Sequence, residues 1–141
     1  MIYVASDHGG FALKKVILEY LEVKKICCKD LGTYSSKSVD YPDIAQKLCR
    51  KVLQTGGKGI LICGAGIGMS IAANRFKGIR AAVCTNEYMA RMAVRHNNAN
   101  VLCLGGRVIG EDVAKEIIDV FLKEKFEGGR HRKRVLKLDK V

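Results

Sequence analysis

Apolar residues recur along this chain in two alternating patterns. Short runs rich in β-branched residues, at Ile2–Ser6, Lys25–Leu31, Gly59–Cys63, Ile79–Thr85 and Asn100–Leu104, predict strands. Between them, Leu13, Val16, Ile17 and Tyr20 fall at helical spacing. So do Ala45, Leu48, Cys49 and Val52, and later Val113, Ile117, Val120 and Phe121. Further helices are expected from about Gly66 to Phe76 and from Asn86 to Arg95. Gly59–Cys63 and Ile79–Cys84 are almost continuous apolar runs, as in strands covered on both faces. Strand–helix alternation with right-handed crossovers predicts a single three-layer α/β/α, Rossmann-like domain with a five-stranded parallel sheet. It spans 1–141 and carries a basic C-terminal tail from about residue 127.

Composition narrows the picture. With 141 residues, 48% apolar and a single Pro, the chain is long enough for one core and too apolar for disorder. No apolar run approaches the ~20 residues that span a bilayer, and Met1–Asp7 lacks a basic leader region. A cytoplasmic protein without a membrane partner is expected. Six cysteines contain no CxxC and none at ligand spacing from His8, His96 or His131, so neither a zinc site nor a secreted disulfide framework is expected.

The net charge is +11, and residues 130–141 hold six Lys/Arg against one Asp. Such a balance suits nucleic acid, an anionic surface or an anionic small substrate. A basic nucleic-acid-binding module would interleave aromatic residues among its cations, and this segment has none. Arg130 and Arg134 are four apart, so one helical turn would align two guanidiniums on a phosphate.

In parallel sheets ligands bind beyond the carboxyl ends of the strands. The segments there are Asp7-His8-Gly9-Gly10, Gly32-Thr33-Tyr34, Cys63 to Gly68, Thr85-Asn86-Glu87 and Gly105-Gly106-Arg107. Cys63-Gly64-Ala65-Gly66-Ile67-Gly68 is the most informative. Alternate glycines between a strand and a helix bring several backbone N–H groups to one point, a cradle for a phosphate or a developing oxyanion. Met69 stands where a dinucleotide fingerprint needs Gly or Ala and where a phosphatase cysteine loop needs Arg, and no Gly-Lys-Ser/Thr follows. Cys63 at the mouth of this loop is a candidate thiolate, whereas Cys84 and Cys103 read as inert core thiols. Asp7-His8 is a plausible sugar or phosphate contact; His96 either serves the chemistry or caps a helix.

Taken together, the motifs Ser6-Asp7-His8, Val39-Asp40-Tyr41-Pro42, Ile62-Cys63-Gly64, Ser70-Ile71-Ala72-Ala73-Asn74, His96-Asn97-Asn98-Ala99-Asn100 and Glu127-Gly128-Gly129-Arg130-His131 resemble type B ribose-5-phosphate isomerases. The wider sugar-phosphate isomerase family also includes galactose-6-phosphate isomerase. The resemblance covers nearly the whole chain and implies interconversion of D-ribose 5-phosphate and D-ribulose 5-phosphate through an enediolate, a pentose phosphate pathway step. Allose or galactose 6-phosphate is the alternative substrate. It implies that Cys63 is the base moving a proton between C2 and C1, and that Gly64, Ala65, Gly66, Ile67 and Gly68 hold the enediolate oxygens. It assigns furanose opening to His96, with Asn97 beside it. Asp7, His8 and Tyr41 match substrate contacts, and Arg107, Arg130 and Arg134 a phosphate clamp. It further implies no metal or organic cofactor, and a homodimer or tetramer with sites shared between chains. The family usually has Thr or Ser where this chain has Ala65; the backbone cradle survives that change and the hydroxyl does not.

Overall fold

The computed structural model describes residues 1–141. Strands β1 (Ile2–Ser6), β2 (Cys28–Asp30), β3 (Lys58–Cys63), β4 (Ala81–Val83) and β5 (Val101–Gly105) form one sheet in the order β2-β1-β3-β5-β4. All four pairings are parallel, with Ser6 against Ile62 and Cys63 against Gly105. The helices are α1 (Phe11–Val23), α2 (Tyr41–Thr55), α3 (Ile67–Ala73), α4 (Glu87–Arg95), α5 (Glu111–Lys123) and α6 (Arg130–Lys137). The expected α/β/α layering is therefore present, with a sixth helix at the basic end.

Side-chain alternation along the strands divides the core into two layers. Val4, Ile60, Ile62, Leu102 and Leu104 face Ile17 and Leu21 of α1, Val94 of α4, and Ile117 and Phe121 of α5. Tyr3, Ala5, Leu61, Cys63 and Cys103 face Leu48 and Val52 of α2 and Met69 of α3. Each fully buried Leu, Ile or Phe contributes roughly 1.5–3 kcal/mol over its exposed state. Local sequence sets the helix ends. Pro42 stands in the first turn of α2, and Gly56 closes that helix at φ 71°, where its N–H donates to the Val52 carbonyl. The Asn86 side chain accepts the Met89 N–H at 2.9 Å to start α4.

Three elements differ from expectation. β2 begins at Cys28 rather than Lys25, because Lys25 (φ 57°) and Ile26 donate their N–H groups back to Glu22 and Leu21 and so close α1. β4 keeps only Ala81–Val83 of the expected run. At its start the Asn100 and Asn74 side-chain oxygens, not a strand, accept the Arg80 and Ala81 N–H groups. The basic tail is a folded helix: α6 follows the Gly128-Gly129 turn, buries His131, and is tied down where Asp139 accepts the Gly78 N–H at 3.0 Å. No helix is long and apolar enough to cross a membrane.

Candidate active site

The site is assembled first from the carboxyl ends of β1, β3 and β5. Asp7 follows β1, its N–H donating to the Ile62 carbonyl and its carboxylate accepting the Gly10 N–H at 3.1 Å. That turn packs directly on β3: a β-carbon at Gly10 would lie 2.5 Å from the Ile62 oxygen, so only glycine fits. His8 Nδ1 accepts the Val39 N–H at 3.2 Å. Nδ1 is then the unprotonated nitrogen, and a neutral His8 carries its hydrogen on Nε2 as a donor.

The Cys63 loop closes against β5. The Gly106 and Arg107 N–H groups donate to the Cys63 and Gly64 carbonyls at 2.8 and 3.0 Å. The Arg107 guanidinium lies over Gly64, where a β-carbon would come within 3.0 Å of it. Gly66 adopts φ 80°, a conformation that bulkier residues resist, and its N–H points at the Cys63 Sγ at 3.1 Å. Cys63 itself is 6% exposed. The first N–H groups of α3, at Ile67 and Gly68, have no partner within the helix and complete the cradle. The Tyr41 ring stands beside them, since a β-carbon on Gly68 would sit 2.8 Å from it. Asp7, His8, Tyr41, Cys63 to Gly68 and Arg107 thus share one edge.

The other cysteines stand apart chemically. Burial pushes Cys49 up to about 12 and Cys84 up to about 11, and holds Cys103 well above its ordinary value. These three are thiols at any working pH, as expected for Cys84 and Cys103.

His96 and Asn97 lie elsewhere. They follow α4 and precede β5, and the Asn100 carbonyl just beyond them accepts the Gly59 N–H near the start of β3. This is the amino edge of the sheet. β3 has six residues, so roughly 17 Å of strand separates the two edges. His96, Asn97, His131, Arg134, Val135 and Leu138 line a cavity of about 250 Å³ there. Arg130 opens α6 beside it, and α6 sets Arg130 and Arg134 one turn apart as expected.

Sequence reasoning passed over two partners of His96. The His131 ring stacks on the His96 ring with centroids 4.1 Å apart and planes 12° from parallel. Glu127 reaches both, its oxygens 3.7 Å from His96 Nε2 and 3.9 Å from His131 Nε2. These three groups offer ligand atoms within 4.8 Å of one another. Yet stacked imidazoles direct their lone pairs in parallel, and they must unstack before both could meet one ion at ~2.1 Å. Glu127 and His131 are four residues apart, a spacing that the intervening Gly-Gly pair disguises as a loop.

Residues 2–138 match the model of the Ribose/Galactose Isomerase family. The chain belongs to that family. Its sequence is 48% identical to ribose-5-phosphate isomerase B of Escherichia coli over 95% of this chain and 91% of the other. A ribose 5-phosphate isomerase structure from Thermotoga maritima superposes with a TM-score of 0.98 at 53% identity, covering 99% of this chain and 97% of that one. The type B isomerase of Mycoplasma genitalium, solved with bound ribulose 5-phosphate, gives 0.93 at 45% identity, over 99% and 93% of the two chains. This member is accordingly a sugar-phosphate isomerase with the family's α/β fold.

Proposed function

We propose that the chain interconverts D-ribose 5-phosphate and D-ribulose 5-phosphate. The observation that carries this reading is the Gly66 N–H aimed at the Cys63 sulfur inside a backbone cradle, with the Arg107 cation alongside. Cys63, as thiolate, takes the C2 proton of the open-chain aldose and returns it to C1, while the hydroxyl proton passes from O2 to O1. The O1 and O2 atoms of the intervening enediolate face the N–H groups of the Gly64–Gly68 loop, which stabilise charge that exists only during the reaction. Asp7, His8 (as an Nε2–H donor) and Tyr41 hold the sugar hydroxyls. Before this step His96 gives a proton to the ring oxygen and takes the O1 proton in its place, as the bond from C1 to the ring oxygen breaks and the furanose opens. Arg107, Arg130 and Arg134, with Asn97 near them, hold the distal phosphate and the chain of the sugar.

His96, Asn97, Arg130 and Arg134 stand at the opposite edge from Cys63, so they serve the Cys63 site of a second copy. A two-fold dimer brings the amino edge of one chain to the carboxyl edge of the other and forms two equal sites. Ile67 and Ile71 of α3, each more than half exposed beside the cradle, supply apolar surface for that contact. Relatives with bound or named ribose phosphates support the five-carbon sugar over allose or galactose 6-phosphate. The test is a coupled assay of purified protein with ribose, allose and galactose phosphates, in EDTA. The expected result is a kcat/KM highest for ribose 5-phosphate and unchanged by chelation; a higher value for a six-carbon sugar would overturn it.

A further inference from the structure

The pairing of His96 with Glu127 and His131 borders the candidate site, yet the chemistry above gives Glu127 and His131 no task. Glu127 lies between α5 and α6 and is held by its own N–H, which donates to the Arg95 carbonyl at the end of α4 at 3.0 Å. One Glu127 oxygen is 3.2 Å from Arg95 Nε and 3.7 Å from His96 Nε2; the other faces His131. Glu124 takes Arg91 at 3.5 Å and shares the Arg95 Nε with Glu127, at 4.0 Å. Two carboxylates thus offset the two α4 guanidiniums, while Arg130 and Arg134 of α6 add positive charge on the His131 side.

We propose that Glu127 and His131 are positioning residues for His96: the carboxylate, 3.7 Å from Nε2, and the stacked His131 ring together fix the place and plane of the His96 imidazole. This rests on the reading of His96 as the ring opener. His131 is 7% exposed and its Nε2 has no hydrogen-bond partner. Burial, then the charges of His96 and Arg130, push it below the ordinary histidine value. His96 is the more open of the two and borders the cavity it shares with Asn97 and Arg134. The buried His131 ring is therefore the fixed platform, and the more open His96 ring stacked on it is the one that faces the cavity. Held so, His96 meets each closed sugar with its ring already oriented, and spends no rotamer freedom at that step.

The test uses the full-length oligomer and two kinds of reading. With ribose 5-phosphate, Glu127→Gln is expected to lower kcat about threefold with KM unchanged, the scale of a partly exposed contact. The His96 ring resonances, followed by NMR, should shift and broaden as the imidazole loses one of its two fixed neighbours. His131→Ala should lose about tenfold in kcat with KM unchanged, and His131→Phe, which keeps a flat face without a nitrogen, should restore most of it. Unchanged His96 ring resonances in Glu127→Gln overturn the pairing. Failure of a folded His131→Phe to outperform His131→Ala overturns the stacking role, since His131 would then act through its own nitrogen. If His96→Asn turns over ribose 5-phosphate normally, the ring-opening reading falls instead, and the NMR comparison of wild type with Glu127→Gln still decides the pairing.

Discussion

Cys63 and His96 stand at opposite edges of one sheet: Cys63 ends β3, and His96 lies in the turn that feeds the start of β5. A parallel sheet enforces this, because every helix returns the chain from the carboxyl edge to the amino edge. No rotamer of either side chain spans the ~17 Å of strand between them. If both act on one sugar, they come from different chains. Mixing Cys63→Ser with His96→Asn after unfolding and joint refolding should then recover activity that neither variant has alone. Random pairing makes half the dimers mixed, and each mixed dimer rebuilds one intact site, so the ceiling is about a quarter of wild type. No recovery, with mixed dimers shown by mass spectrometry, would place the whole site within one chain.

Cys63 itself is tested by chemistry and by substitution. Iodoacetamide near neutral pH should alkylate Cys63 and the exposed Cys27 first, with loss of activity following Cys63 alone and substrate giving protection. Cys49, Cys84 and Cys103 should stay unmodified in the folded protein, since burial holds them as thiols. Cys63→Ser should lower kcat by about 10³-fold or more while sugar-phosphate binding stays near normal, because a hydroxyl is a poor base at this pH. Wild-type turnover in the Ser variant would remove Cys63 from the mechanism.

Arg130 and Arg134 offer a measurement of the phosphate contact. Each charge-assisted bond is worth about 1.5–3 kcal/mol, so either Arg→Ala change should raise KM roughly 10- to 100-fold. Some loss of kcat should accompany it, because a held phosphate also positions the reacting carbons. Unchanged KM in both variants would leave α6 as a solvated basic helix.

Much of this fold was legible because its strands are buried on both faces and therefore read as apolar runs; β1, β3 and β5 stand within one residue of their expected limits. The edge strands were overestimated for a physical reason: neighbouring backbone turns and Asn side chains, not a ladder, take up the ends of the runs at Lys25 and Ile79. The carboxyl-edge half of the site followed from topology alone. Its other half did not, because pairing across a gap between chains leaves no mark in one sequence. Lys14 was equally silent. Helical spacing puts it beside Leu13 as a solvated cation, yet it is 1% exposed, with Asp30 and the Thr33 carbonyl both at 2.6 Å. Only the packing of α1 against the end of β2 and the loop after it supplies those partners.

His131 should give the protein a characteristic acid sensitivity. Burial lowers its folded value below the ordinary 6.5. The unfolded chain therefore binds the proton more readily, and stability rises with pH through that interval. The contribution is complete above about pH 6.5 and is lost as pH falls through the lower folded value. Melting temperatures at pH 7.5 and 5.5 should show a larger acid loss for wild type than for His131→Phe, which has no proton to bind. Equal losses would assign the acid sensitivity to other groups.

His96→Asn separates two steps of one reaction. Ribose 5-phosphate in water is almost entirely closed, so an acid–base group must exchange protons between O1 and the ring oxygen before Cys63 can reach the C2 proton. A histidine serves both directions of that exchange near neutral pH. The alternative is that His96 only ends α4, where its N–H donates to the Met92 carbonyl at 2.9 Å, a backbone contact that Asn preserves. The variant should therefore fold and bind phosphate ligands as wild type does. It should turn over ribose 5-phosphate about 10²-fold more slowly, the low end of what general acid–base groups contribute. A four-carbon aldose phosphate cannot close a ring through its phosphorylated terminal oxygen, so on that substrate the variant should keep most of the wild-type rate. Equal loss on both substrates would move His96 from ring opening to the proton transfer itself.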